Sequence, residues 1–101
     1  MTEPLVFSGP EGTVTVTAGA LTELVARAAR SVEGARVRRP KRSIEIRYDG
    51  GHASVELELG ATYGVPLPEL ARSVQERVAE ALGQVSGLEV ERVDVVLEEV
   101  G

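Results

Sequence analysis

The segment from Tyr63 to Val100 constrains the fold of this chain more than any other. After a Tyr-Gly turn, Pro66 and Pro68 suit the first turn of a helix. Apolar side chains then recur at the three- and four-residue spacing of an amphipathic helix. This stripe comprises Leu67, Leu70, Ala71, Val74, Val78, Leu82 and Val85. Gly87 is predicted to end the helix, because glycine is favoured just past a helix end.

A Val-rich strand is predicted after this helix, from about Leu88 to Val100. One face of this strand carries Val93, Val95 and Leu97, whereas Val96 points to the opposite face. Leu88 and Val90 have the wrong parity for that pattern. A β-bulge or a late strand start is therefore expected near residues 91–92.

The first half of the chain predicts a short strand and a second helix. Val and Thr alternate over residues 12–17, and Thr17 is placed to cap a helix that runs from Ala18 to about Val32. The apolar stripe of that helix comprises Leu21, Leu24, Val25, Ala28 and Val32. Gly34 is a suitable stop, because glycine reaches the left-handed conformation at low cost.

The middle of the chain predicts a β-hairpin. Residues 43–48 alternate between apolar and charged side chains, and residues 52–61 do the same. Asp49-Gly50-Gly51 between them is a strong turn signal. Both strands have one apolar and one polar face, as expected of an antiparallel sheet covered on one side.

Together these elements predict an α+β fold in the order β-α-β-β-α-β. We expect a two-layer sandwich, with two helices packed on one face of a mainly antiparallel sheet. The last helix would join two strands as parallel near neighbours. The strand order is otherwise left open, and the first strand could pair at a sheet edge or detach from the sheet. The 101 residues are expected to form a single domain, with residues 1–11 a loosely ordered N-terminal segment.

Positive charge is concentrated in one short stretch. Residues 36–42, hereafter the basic segment, carry Arg36, Arg38, Arg39, Lys41 and Arg42 with no acid among them. Because the net charge is −5, removing these five charges leaves −10 on the rest of the chain. Three interpretations remain open: a solvated loop, a patch for phosphate or anionic lipid, and a docking site for an acidic protein surface.

No catalytic group, metal site or cofactor site is predicted. The chain has no cysteine, and its single histidine, His52, has no second histidine to join it on a metal. Glu56 and Glu58 share a strand face, but solvated side chains are the simpler interpretation. The phosphate-binding glycine motifs are absent. Membrane contact is expected only through the protein surface or a partner, because no apolar run approaches the ~20 residues of a membrane span.

Two stretches resemble the alkaline shock protein family, the Gls-type general-stress and envelope stress response proteins of Gram-positive bacteria. They are residues 12–35 and residues 63–100, and the family motifs appear in order. The motifs read Val32-Glu33-Gly34-Ala35, Tyr63-Gly64, Val74-Gln75, Ser86-Gly87-Leu88 and Val93-Asp94-Val95. Gly34, Tyr63, Gly64 and Gly87 are thereby marked as structural positions of the family. Ala35, Ser86 and the Arg-rich middle depart from the usual pattern.

The resemblance implies a non-enzymatic, cytoplasmic bacterial protein of envelope stress response and cell-envelope homeostasis. It further implies self-association into an oligomer, no cofactor or small-molecule substrate, and recruitment to the inner face of the membrane by a membrane-anchored partner. The basic segment could contact the acidic body of the next copy head to tail, which makes open assemblies. Val96, together with Arg36, Arg38, Arg39, Lys41 and Arg42, is our hypothesis for the partner-binding residues.

Two other classes of function remain compatible with the sequence. A nucleic-acid-binding module that uses the basic segment is the alternative, although recognition of RNA would want aromatic rings beside the charges. A small enzyme or ligand-binding domain would instead show a deep pocket with convergent polar groups.

Overall fold

A computed structural model describes residues 5–85 and 88–100 of the chain. The elements in order are β1 (Leu5–Gly9), β2 (Gly12–Val16), α1 (Ala18–Arg30), β3 (Ala35–Arg36), α2 (Pro40–Ser43), β4 (Ile44–Asp49), β5 (His52–Thr62), α3 (Leu67–Gly83) and β6 (Glu89–Val100).

The main sheet is built around β5. The strand β4 pairs with it antiparallel, with Ile44 opposite Leu57, and β6 pairs with it in parallel along its whole length. Since β6 occupies one edge of β5, the short strand β3 shares the other edge with β4, where Arg36 lies opposite Gly60. The predicted parallel neighbours joined by the last helix are therefore β5 and β6.

Both long helices cover one face of this sheet, α1 over β4 and α3 over β6. The alternation in β4 and β5 turns the apolar side chains towards the helices and the charged ones away from them. The most deeply buried side chains of this core are Leu21, Leu57, Leu82, Val25, Val55, Val74 and Val78. The prediction of a two-layer α+β sandwich is confirmed. The sheet face that turns away from the helices is called the outer face below.

The helix ends follow local chemistry. The Thr17 side chain accepts a hydrogen bond from the Ala20 amide at 3.1 Å, as predicted for an N-cap. The helix α1 ends at Arg30, slightly earlier than predicted. The helix α3 ends at Gly83; Gly87, the predicted stop, lies outside the described residues.

The predicted bulge in the last strand is confirmed. Ala53 lies opposite Val90 and Ser54 opposite Arg92, so Glu91 is one extra residue in β6. Because of this extra residue, Val90 and Val93 both pack against the core in spite of their opposite parity.

The strand predicted at residues 12–17 does not enter the main sheet. It forms β2, which pairs with β1 in a separate two-stranded hairpin. The partner strand lies at residues 5–9, inside the segment expected to be loosely ordered. The strand β1 lies only a two-residue turn before β2, so pairing between them closes a much shorter loop than pairing of β2 with an edge of the main sheet would. The molecule is accordingly elongated, with extents of 51 × 21 × 20 Å.

Candidate docking surfaces

The basic segment fills the interruption between β3 and β4 and stands beside residues 58–59 of β5. Pro40 begins the single turn of α2, and the Ser43 amide donates to the Arg39 carbonyl at 2.8 Å. All five basic side chains of the segment are exposed.

One residue anchors the basic segment to the core. Val37 is buried between the exposed Arg36 and Arg38, and the Arg30 guanidinium donates to its carbonyl at 2.9 Å. This anchor fixes where the segment leaves the sheet, because burial holds the side chain and the hydrogen bond holds the backbone. The basic side chains that follow Val37 therefore have a fixed position relative to the sheet.

The structure divides the predicted partner-binding residues between two surfaces. Arg36 and Arg38 line an open hollow of about 290 Å³ together with Val96 and two acidic residues, Glu58 and Glu98. The remaining basic residues line a second hollow of about 680 Å³ against the start of α1. Its lining is Gly19, Thr22, Glu23, Arg39, Pro40, Lys41 and Arg42.

Sequence reasoning missed Glu58 and Glu98 as neighbours of the basic segment. The signal lies in the pairing register: Glu58 is opposite Val96, and Gly60 lies between Arg36 and Glu98 in one cross-strand row. That register depends on the bulge in β6 and on the interruption before β4.

Among residues 5–85 and 88–100, both long helices pack on the other face of the sheet, and the outer face carries rows of charge. Glu45, Glu56 and Asp94 lie in one cross-strand row, and Arg47 and Arg92 lie in the next. Ion pairs run along the strands, from Arg47 Nε to Glu45 Oε1 at 2.8 Å and from Arg92 Nε to Asp94 Oδ2 at 3.0 Å. Exposed pairs of this kind stabilise the fold little. In the midst of this polar face, Val96 is 53% exposed.

Two of the glycine motifs, at Gly34 and at Tyr63–Gly64, meet at one end of the sheet. The Thr62 amide donates to the Gly34 carbonyl at 2.9 Å, so the end of α1 touches the turn at Tyr63–Gly64. Both glycines have a positive φ, +94° at Gly34 and +92° at Gly64. Tyr63, which precedes Gly64 in the turn, is 75% exposed.

The polar residues considered as candidates lie at the surface of the described part of the chain. His52 Nδ1 lies 3.3 Å from Glu91 Oε1 and 3.8 Å from Glu89 Oε2, and both glutamates are well exposed. Glu56 and Glu58 are exposed on the outer face. Over residues 5–85 and 88–100, no buried side chain is polar or charged, and no three His, Asp or Glu side chains are grouped to hold a metal ion.

Within the part of the chain that the structure describes, none of the helices has the length and apolar character needed to cross a membrane.

Comparison with known proteins gives one family match. Residues 35–101 match the model of the alkaline shock protein 23 family, which is described as having a cell envelope-related function. Among curated proteins, none matches the chain.

Solved structures with the same fold include several variants of MamM CTD. One variant is 21% identical, covers 82% of this chain and 98% of its own, and superposes with a TM-score of 0.57. A copper form has the same values, and a cadmium form is 22% identical with 82% and 96% coverage and a TM-score of 0.57. At this identity the likeness concerns the fold.

Proposed function

Because the chain belongs to the alkaline shock protein 23 family, whose function is cell envelope-related, we propose that it is a non-enzymatic protein of cell-envelope homeostasis and the envelope stress response. It acts by docking to other proteins, among them copies of itself. Recruitment to the inner face of the cell membrane by a membrane-anchored partner is part of this proposal.

The main support for this proposal is the position of the basic segment in the structure. Five exposed cations sit beside a buried anchor on a chain whose remaining charge is −10. The outer face supplies the complementary charge, with Glu56, Glu58 and Glu98 exposed on it. A positive surface on one copy can therefore bind a negative surface on the next, and a head-to-tail contact of this kind makes open assemblies.

Neutralising part of the basic segment tests this function. We expect Arg38→Ala, Arg39→Ala and Arg42→Ala together to abolish assembly in sedimentation velocity at low salt. Assembly of the unchanged chain should weaken as salt rises, because exposed charges are screened. The same variant should lose a membrane-anchored protein that the unchanged chain retains in a pull-down from the native cell.

The matched control removes three positive charges elsewhere. Arg27→Ala, Arg72→Ala and Arg77→Ala change exposed side chains on the two long helices. This control should assemble as the unchanged chain does. A monomer at every salt and protein concentration would contradict the self-association part of the proposal.

RNA binding is the alternative use of the basic segment. Binding of single strands combines basic grooves with several stacking rings. Among the described side chains, Tyr63 is the aromatic residue that is strongly exposed, which leaves little surface for stacking. A salt-sensitive shift of RNA that is lost in the triple variant of the basic segment would favour this alternative.

A further inference from the structure

The last strand leaves one long edge of the main sheet open. β6 pairs with β5 along one side, and no other strand in the described part of the chain pairs with it. The opposite edge is interrupted by the basic segment, whereas β6 runs without interruption from Arg92 to the end of the strand. An open, continuous edge is a template for another strand, because its amide and carbonyl groups lack partners.

Proline and lysine, which commonly block pairing at an edge, do not occur in β6 from Arg92 onward. The charged side chains there are Arg92, Asp94, Glu98 and Glu99, so pairing requires a register that matches their signs. The Gln75 side chain donates to the Val93 carbonyl at 3.0 Å, so a strand that pairs at this position shares the acceptor with Gln75 or displaces it. Val93, Val95 and Leu97 pack against the core but are only half-buried. A neighbouring strand would cover their remaining surface.

The helix above the edge leaves it accessible. Ala71 and Ala79 lie four residues before and after Gln75 and share its side of α3. Since the Gln75 hydrogen bond places this side over β6, two small side chains flank the contact. A second sheet edge can approach without meeting a large side chain at these positions.

We propose that β6 pairs antiparallel with β6 of a second copy, across a two-fold axis that passes through Val95. Arg92 then lies opposite Glu98 of the second copy, and this contact occurs twice. On the helix side, Val93 lies opposite Leu97 of the second copy. The ladder extends over residues 92–98, because beyond it the bulged Glu91 would meet Glu99.

The charge pattern selects this register. Centring the axis on Asp94 sets two Asp94 side chains against each other, and centring it on Val96 sets Asp94 against Glu98 twice. Centring it on Val93 runs the ladder across the bulge at Glu91. If the two strands were shifted by one residue relative to each other, side chains on the outer face would lie opposite side chains that face the helices. Among these alignments, only the one centred on Val95 places Arg92 opposite an acidic residue, Glu98, within a ladder that has no bulge.

This inference deepens the self-association of the proposed function and rests on it. The edge of β6 shares Glu98 with the acidic surface of that proposal, whereas Arg92 belongs to the edge alone, so Arg92→Glu is the variant that separates the two. The test is a charge exchange, measured as dimer dissociation by sedimentation equilibrium. Arg92→Glu alone and Glu98→Arg alone should each weaken dimerisation by roughly tenfold or more, because each creates two like-charge contacts. An equimolar mixture of the two variants should recover the dimer, since every Glu then faces an Arg. Arg77→Glu on α3 makes the same charge change away from the edge and should dimerise normally.

A cross-linking experiment fixes the register independently. The chain has no cysteine, so a single substitution gives an unambiguous disulfide. Val95→Cys should form a disulfide-linked dimer on mild oxidation, because the two copies meet at the axis. Leu97→Cys is the control: its two positions lie about 13 Å apart across the axis, too far for a disulfide.

The outcomes separate the two proposals. Failure of the mixture to recover the dimer, or equally fast cross-linking of both cysteine variants, overturns the edge pairing. If assembly persists in Arg92→Glu but is lost in the triple variant of the basic segment, the proposed function stands and the edge pairing is wrong. A monomer under all conditions contradicts the self-association in both.

Discussion

At the scale of single residues, Gly34 has two independent reasons to be glycine. Its φ of +94° lies in a region that other residues rarely adopt. A Cβ atom there would lie 3.1 Å from the Val65 Cγ2 atom, so the contact with the turn after β5 would have to open. The sequence marked Gly34 as a helix stop, and the structure adds that it also allows α1 to meet the start of α3.

Gly34→Ala should therefore destabilise the protein by about 1–3 kcal/mol. The free energy of unfolding in urea measures this directly. Gly83→Ala is the matched control, because no atom lies within 4 Å of the added Cβ. Alanine also suits a helix better than glycine, so Gly83→Ala should be neutral or stabilising. Equal losses in the two variants would contradict this explanation.

At the scale of elements, the sequence predicted what depends on neighbours along the chain. The stripes of both long helices, the Thr17 cap, the hairpin of β4 and β5 and the bulge near Glu91 all follow from spacing within a few residues. Each of these features has a local cause that a single sequence displays.

The elements that were missed depend on contacts far apart in sequence. The two-residue β3 exists because Ala35 meets Ala61, far along the chain. The strand β1 is an exception, because it was missed although its partner β2 lies only two residues further along the chain. The hollow that joins Arg36, Arg38 and Val96 depends on three strands at once. No spacing within the basic segment reveals that its charges divide between two surfaces.

Thr17→Ala tests the local part of this account. Loss of the side-chain acceptor leaves the Ala20 amide at the start of α1 without its cap, so the free energy of unfolding should fall by about 1 kcal/mol. Chemical denaturation measures the change. Thr15→Ala, an exposed residue of β2 outside the helix, should have a clearly smaller effect.

At the scale of the whole molecule, the chain consists of a sandwich with a hydrophobic core and the β1–β2 hairpin, which projects from it. The core cluster draws its buried residues from Leu21 to Leu88, and from the described side chains of the hairpin only Val16 packs against it. The hairpin therefore adds length to the molecule but little to its cooperative core.

Removal of residues 1–16 should leave the sandwich folded. A chain that begins at Thr17 keeps the cap of α1 and every fully buried core residue. We expect one cooperative urea transition with a free energy of unfolding within ~1 kcal/mol of the full chain. A far larger loss would show that the hairpin supports the core. A matched truncation that begins at Leu21 removes the cap as well and should be less stable.

The interrupted edge strand has a consequence for how the length of this protein can change. The chain pairs with β5 on both sides of the interruption, at Arg36 with Gly60 and at Ile44 with Leu57, and Val37 is held in the core. Extra residues placed after Arg39 would lengthen the loop without shifting either register, at a closure cost that grows only slowly with length. Additional residues, such as a new binding peptide, could therefore be inserted at this position without changing the rest of the fold.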